Sequence, residues 1–142
     1  MIVDANLLLY ATDSTSPHHE RSSSWLSAAM NGTSQVGLPW QTIGAFVRIT
    51  THPRVAANPL TGEQAWAIVQ SWLKAPVAWI PPATARTAQA YAELAADADI
   101  TGNLVPDAQL AALALEYGVP VYSADSDFAR FRRITWINPL TA

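Results

Sequence analysis

Short apolar runs separated by amphipathic segments of roughly a dozen residues recur from end to end of this chain, and that alternation restricts its fold more than any other feature. Met1 to Val3 is apolar and reads as a buried strand ending at Asp4, followed by a turn into helix through Leu7 to Tyr10. After a turn cluster at Asp13 to Pro17, Arg21 to Met30 has helical spacing and stops at Asn31-Gly32. Gln35 to Leu38 fits a second strand. A helix then runs from Pro39 to Thr50 and ends before His52-Pro53, because the residue preceding proline avoids the α region. Thr61 and Gln64 form a capping-box signature for a helix with Ala65, Trp66, Val69, Trp72 and Leu73 on its apolar side, closed by Pro76.

Val77 to Ile80 is a third strand candidate and Thr84 to Ala96 a further helix. A polar stretch, Asp97 to Asn103, precedes a strongly periodic helix over Asp107 to Tyr117 with Gly118 at its stop. Val119 to Ser123 and Thr135 to Ile137 complete the set of strands. Strands that alternate with helices predict an α/β fold with a central parallel sheet of four to five strands, covered on both faces. In such sheets ligands bind beyond the carboxyl ends of the strands.

At 142 residues, half of them hydrophobic, the chain suits one domain spanning 1–142, with no repeat or linker to divide it. It has no cysteine, which excludes disulfides and thiolate metal sites. No apolar run reaches the roughly 18 residues of a membrane span, and the first charge is Asp4 rather than the basic start of a signal peptide. The expectation is a cytoplasmic protein with no membrane partner. A formal charge of −3 argues against coating nucleic acid by bulk electrostatics. The basic residues are nonetheless almost all arginine, which grips phosphate bidentately.

The acids carry the chemistry. Asp4 directly follows the first strand, and Asp125 follows the Val119 to Ser123 strand by two residues, so both belong at the ligand-binding end of the sheet. Asp107 opens a helix that can reach the same crevice, and Asp127 lies two residues past Asp125. Carboxylates brought together raise one another's pKa unless a cation intervenes, which points to Mg²⁺ or Mn²⁺ and to phosphate as the substrate group. Asp107 and the Asp125-Ser126-Asp127 turn also read as helix or turn caps. Asp4, buried at the start of the domain, is costly without a partner.

Asn103, Ser123 and Arg48 are candidates for contacting substrate or bracing a carboxylate; Arg54, Arg130, Arg132 and Arg133 could reach a phosphate backbone but read first as solvated surface arginines. His18 and His19 read as exposed loop at a helix entrance. Of the six tryptophans, Trp66 and Trp72 suit the core or a partner groove better than base stacking.

Three blocks, Ile2-Val3-Asp4-Ala5-Asn6-Leu7-Leu8, Thr101-Gly102-Asn103-Leu104-Val105-Pro106-Asp107-Ala108 and Val121-Tyr122-Ser123-Ala124-Asp125-Ser126-Asp127-Phe128, together resemble the defining segments of PIN-domain ribonucleases. They occur in family order, and the length suits the bacterial toxins of that family, called VapC, which pair with a VapB antitoxin. The resemblance implies a Rossmann-like three-layer α/β/α domain and Mg²⁺-dependent endonucleolytic cleavage of RNA. It also implies a homodimer and a cognate VapB-type antitoxin. Position by position, Asp4, Asp107 and Asp125 match the family's metal-binding acids and Asp127 a further one. Relatives also supply a glutamate from the helix after the second strand, but no acid lies between Glu20 and Glu63 here. Either a neutral oxygen from Gln41 or Thr42 partly substitutes for it, or the site holds one ion well and a second only when substrate phosphate arrives; one tightly held ion is the expectation. A catalytically weak or inactive RNA- or protein-binding module is the competing reading. An aspartate-nucleophile phosphatase is disfavoured, because Asn6 stands where its second aspartate belongs.

Overall fold

A computed structural model describes residues 1–141. The elements in chain order are β1 (Ile2–Val3), α1 (Ala5–Thr12), α2 (His19–Met30), β2 (Val36–Gly37), α3 (Trp40–Thr50), α4 (Gly62–Leu73), β3 (Ala78–Trp79), α5 (Ala85–Asp97), α6 (Leu104–Tyr117), β4 (Val121–Tyr122) and β5 (Trp136–Ile137), with a 3₁₀ turn at Ser126–Arg130. The five strands form one sheet in the order β3-β2-β1-β4-β5, every pairing parallel. The first strand is therefore the central one. Chain order runs outward from β1 through β2 to β3, then returns to β1's other side at β4, so the switch in direction falls between β1 and β4. A crevice opens at the carboxyl ends of strands at such a point.

Successive residues of β1 serve opposite layers, as the pleat requires. Ile2 packs with Leu94, Leu104, Ala111, Leu113 and Phe128 under α5 and α6, whereas Val3 packs with Leu7, Leu8, Ile43, Phe46 and Val69 under α1, α3 and α4. Both are fully buried. Helix α6 is enclosed over most of its circumference, burying Leu110, Ala111, Ala112, Leu113 and Ala114, and its small side chains let it lie close against the sheet.

Two details fix how β2 and α3 sit against β1. A Cβ built on Gly37 falls 2.8 Å from the Met1 carbonyl oxygen, so only glycine permits this strand approach. Thr42, buried in the first turn of α3, donates its hydroxyl to the Val3 carbonyl at 2.8 Å and ties the helix N-terminus to the end of β1.

The element order matches the sequence reading, with strands shortened to their paired residues and one consequential difference. Helix α6 begins at Leu104, three residues before the expected start at Asp107. Gly102, at φ 55°, lets the chain turn, and Leu104 and Val105 donate back to Thr101 and Gly102. Pro106 is tolerated because first-turn N–H groups have no helical partner. His19 is not loop: it opens α2, and its Nδ1 lies 2.9 Å from the Tyr10 carbonyl oxygen. Trp72 packs on Phe46, but Trp66 lies outside the core, 38% exposed and beside Trp40. Among the described residues no helix is long and apolar enough to cross a membrane.

Gly37→Ala should destabilise the protein by about 1–3 kcal/mol through this backbone clash, read as a lowered urea midpoint. Gly44→Ala, where a Cβ meets nothing within 4 Å, should be neutral or stabilising. Equal midpoints for the two variants would contradict the packing described.

Candidate metal centre

Pairing of β1 with β4 brings Asp4 and Asp125 together from opposite ends of the chain. Asp4 caps α1: its Oδ1 accepts from the Ala5 N–H at 2.7 Å. Its Oδ2 accepts from the Ser123 hydroxyl at 2.7 Å. Ser123, fully buried at the end of β4, has its lone pairs filled by the Asn6 Nδ2 at 3.1 Å and the Asp125 N–H at 2.9 Å. A hydroxyl has one proton. With both donors pressing on its oxygen, that proton is directed to Asp4. Asn6 closes the circuit by accepting from the Ala124 N–H at 3.3 Å.

Asp125 caps the 3₁₀ turn, its Oδ1 accepting from the Asp127 N–H at 2.9 Å, and this turn swings Asp127 back toward Asp125. Asp107 comes from the first turn of α6. Its position inside the helix, rather than at the cap, leaves its carboxylate free for the crevice. Oxygens of Asp107, Asp125 and Asp127 all lie within 4.8 Å of one another. Asp4 is not part of that tightest trio. It stands behind it, held by Ser123 and Ala5, and acts on it through charge.

The electrostatics agree with a site built for a cation. Burial, followed by the charges of Asp125, Asp4 and Asp127, pushes Asp107 up to about 6 from its ordinary 3.8. Burial also raises Asp4, opposed by its hydrogen bonds from Ser123 and Ala5. The nearest basic group is Arg130, whose Nε is 3.9 Å from Asp127 with both side chains at least half exposed, an interaction worth little. A donor set of carboxylate oxygens alone suits a hard divalent cation.

The remaining candidates divide. Asn103 precedes α6, exposed and one helical turn from Asp107 on the same face. Ser123 is in the network itself. Arg48 lies in the last turn of α3, about 12 Å along the helix from its first residue, and is not brought to the acids. Arg133 is occupied by Asp97, with its Nε 2.6 Å from the carboxylate. Of the two neutral oxygens expected to replace the missing glutamate, Thr42 is buried with its hydroxyl turned to the Val3 carbonyl, whereas Gln41 is exposed on α3. Asn6 was not among the predicted site residues; its signal was its place two residues after Asp4, in the same block.

Residues 1–134 match the PIN domain family, and the chain belongs to it. It is 44% identical over 138 residues to Ribonuclease VapC37 of Mycobacterium tuberculosis, covering 97% of this chain and 96% of the relative. Identity to Ribonuclease VapC33 of the same species is 37% over 140 residues, covering 99% and 98%. Among solved structures the fold is similar to that of VapBC2 from Rickettsia felis bound to a DNA fragment from their promoter, with TM-score 0.71, 15% identity and 96% of each chain covered. It is also similar to FitAcB from Neisseria gonorrhoeae, with TM-score 0.66, 20% identity and 97% and 96% covered.

Because the folded protein holds a proton on Asp107 up to about pH 6, where an unfolded chain has released it near 3.8, that group favours the folded state at low pH. The contribution is complete below the unfolded value and lost as pH rises through 6. In EDTA, wild type should therefore lose stability relative to Asp107→Asn between about pH 4 and pH 6, followed by denaturant midpoints. Parallel pH profiles for the two proteins would show that Asp107 is not strained.

Proposed function

We propose that this protein is a divalent-cation-dependent endoribonuclease acting as the toxin of a two-protein module, restrained by a VapB-type antitoxin. The observation that carries the reading is the convergence of Asp107, Asp125 and Asp127 beside a fixed Asp4, balanced among the described residues by no more than the long, exposed Arg130–Asp127 pair. The naming of its full-length relatives as ribonucleases supports the choice of RNA. That of the VapBC2 assembly supports an antitoxin partner.

Asp107, Asp125 and Asp127, with Asp4 completing the set, would hold Mg²⁺, or Mn²⁺ in its place. Bound there, the ion supplies charge neutralisation and polarisation of a phosphodiester. The protein's own contribution is orientation. Ser123 and Asn6 hold Asp4 in one rotamer, the cap on the 3₁₀ turn holds Asp125 and Asp127 in register, and α6 presents Asp107 from the opposite wall. Such bracing keeps the carboxylates from relaxing away from one another when no ion offsets their repulsion. A carboxylate in this set also serves as acceptor for the proton of the attacking water.

Because α3 brings no acid to the crevice and Thr42 is buried in the fold, we infer one tightly held ion rather than two. Calorimetric titration with Mn²⁺ should give a stoichiometry near one, abolished in Asp107→Asn; two equally tight sites would refute it. Purified wild type, free of antitoxin, should cut single-stranded RNA with Mg²⁺ and not with EDTA. Asp107→Asn and Asp125→Asn should fall to background, and Asn6→Ala should lose about 10–100-fold. Cleavage by these variants at the wild-type rate, or cleavage in chelator, would overturn the reading; absence of any cutting would return the chain to the binding-module class.

A further inference from the structure

Trp40 is the most exposed large apolar side chain among the described residues, at 64%, and Trp66 beside it is 38% exposed. An exposed indole of this size loses free energy to water with nothing in the fold to offset it. Their position is informative. In the parallel ladder Ile2 lies opposite Gly37, and both Asp4 and Pro39 continue their strands in extended conformation, so the register brings Pro39 level with Asp4 on the neighbouring strand. Adjacent strands are about 5 Å apart. Trp40 is the next residue, at the start of α3. The aromatic pair thus begins one strand away from the acid centre, at the same carboxyl end of the sheet.

The pair's geometry leaves it open. The rings meet at 78° with centroids 6.3 Å apart. In an edge-to-face contact one ring covers one face of the other, and its own two faces stay free. The pair adjoins the acid centre directly, and Glu63 lies one turn before Trp66 on α4, so this surface offers aromatic faces rather than positive side-chain charge. Pro39 gives α3 no side-chain cap, so the first-turn N–H groups of the helix keep their positive end toward phosphate. A single-stranded nucleic acid uses flat apolar faces of this kind for its bases, and a cation held by the adjoining acids would meet its backbone.

We propose that Trp40 and Trp66 form a base-stacking subsite for unpaired nucleotides adjoining the scissile phosphodiester, extending the candidate centre across the start of α3. The proposal rests on the ribonuclease reading for the identity of the ligand, but binding and cleavage report on the two separately. The probe is a fluorescent single-stranded RNA of unstructured sequence, measured by anisotropy with full-length protein in EDTA, where it is not cut. Trp40→Ala should weaken binding about tenfold or more, as loss of one stacked base does, whereas Trp40→Phe should stay within about threefold of wild type. The same oligonucleotide annealed to its complement should bind wild type and Trp40→Ala alike, because paired bases offer no free face. With a cleavable RNA, Trp40→Ala should raise KM and leave kcat nearly unchanged.

Unchanged binding of the single strand by Trp40→Ala overturns the proposal, as does an equal loss with the duplex. Sedimentation velocity settles the competing occupant: if Trp40→Ala turns a dimer into a monomer while each chain binds oligonucleotide as before, the patch is a contact between copies and the subsite is refuted. Wild-type cleavage with Trp40→Ala equal to it in KM removes the subsite and keeps the nuclease. A wild type that binds the probe through Trp40 but cuts no RNA in any divalent cation keeps the subsite and removes the nuclease.

Discussion

Everything at the carboxyl edge of this sheet depends on the pairing of two short strands from opposite ends of the chain. Ile2 and Val3 align with Val121 and Tyr122, and that alignment alone sets Asp4 beside Ser123 and Asp125. The apolar layers make the alignment compulsory. A slip of one residue would send Ile2 into the α1–α3 layer and Val3 into the α5–α6 layer, and it would also part the Asp4 carboxylate from the Ser123 hydroxyl. Core packing and site geometry are consequently specified by the same register. The hydrogen-bonded circuit through Asn6, Ser123, Asp4 and Asp125 then converts an approximate juxtaposition into a fixed one.

This circuit also resolves an electrostatic tension. Four carboxylates near one crevice with no strong ion pair repel, and the raised proton affinity of Asp107 comes from its burial first and from that repulsion second. Asp4 is handled differently from the others: its two oxygens each accept a short hydrogen bond, which stabilises the ionised form against burial. The fold therefore locks one acid inside the wall and leaves three facing outward, with the strain concentrated on the one brought by α6. A centre with this division of labour is prepared for a positive charge before one arrives.

Much of the arrangement was legible in the sequence, for reasons that differ by element. The strand-helix alternation gave the parallel sheet because buried strands must read as apolar runs. The capping box at Thr61 and Gln64 and the left-handed Gly118 were readable because each is a local signal, and both are present. The start of α6 was not, because Leu104 to Pro106 resembles a continued loop until Gly102 is seen to turn the chain. Of the acids, Asp4 and Asp125 followed from strand ends, and the placement of Asp107 in a first turn did not. Asn6 escaped, and Thr42 was read as a ligand oxygen rather than as a tie to β1, because their contacts are long-range: a side-chain amide reaching residue 123 and a hydroxyl reaching residue 3 leave no periodic trace. Trp66 was assigned to an apolar face that helix periodicity does define, yet the tertiary neighbour on that side is another exposed ring rather than the core.

The central position of the first strand has a consequence for when this protein becomes competent. During synthesis β1 leaves the ribosome well before its partner β4, which follows only after more than a hundred further residues, roughly 5–25 s later at about 5–20 residues per second. Until then Asp4 has no Ser123 and no Asp125, and the layer under α6 rests on a sheet that lacks β4 and β5. A nascent or C-terminally truncated chain is thus incapable of assembling the acid cluster, and a potential nuclease is kept inert beside the cell's densest concentration of RNA by topology alone.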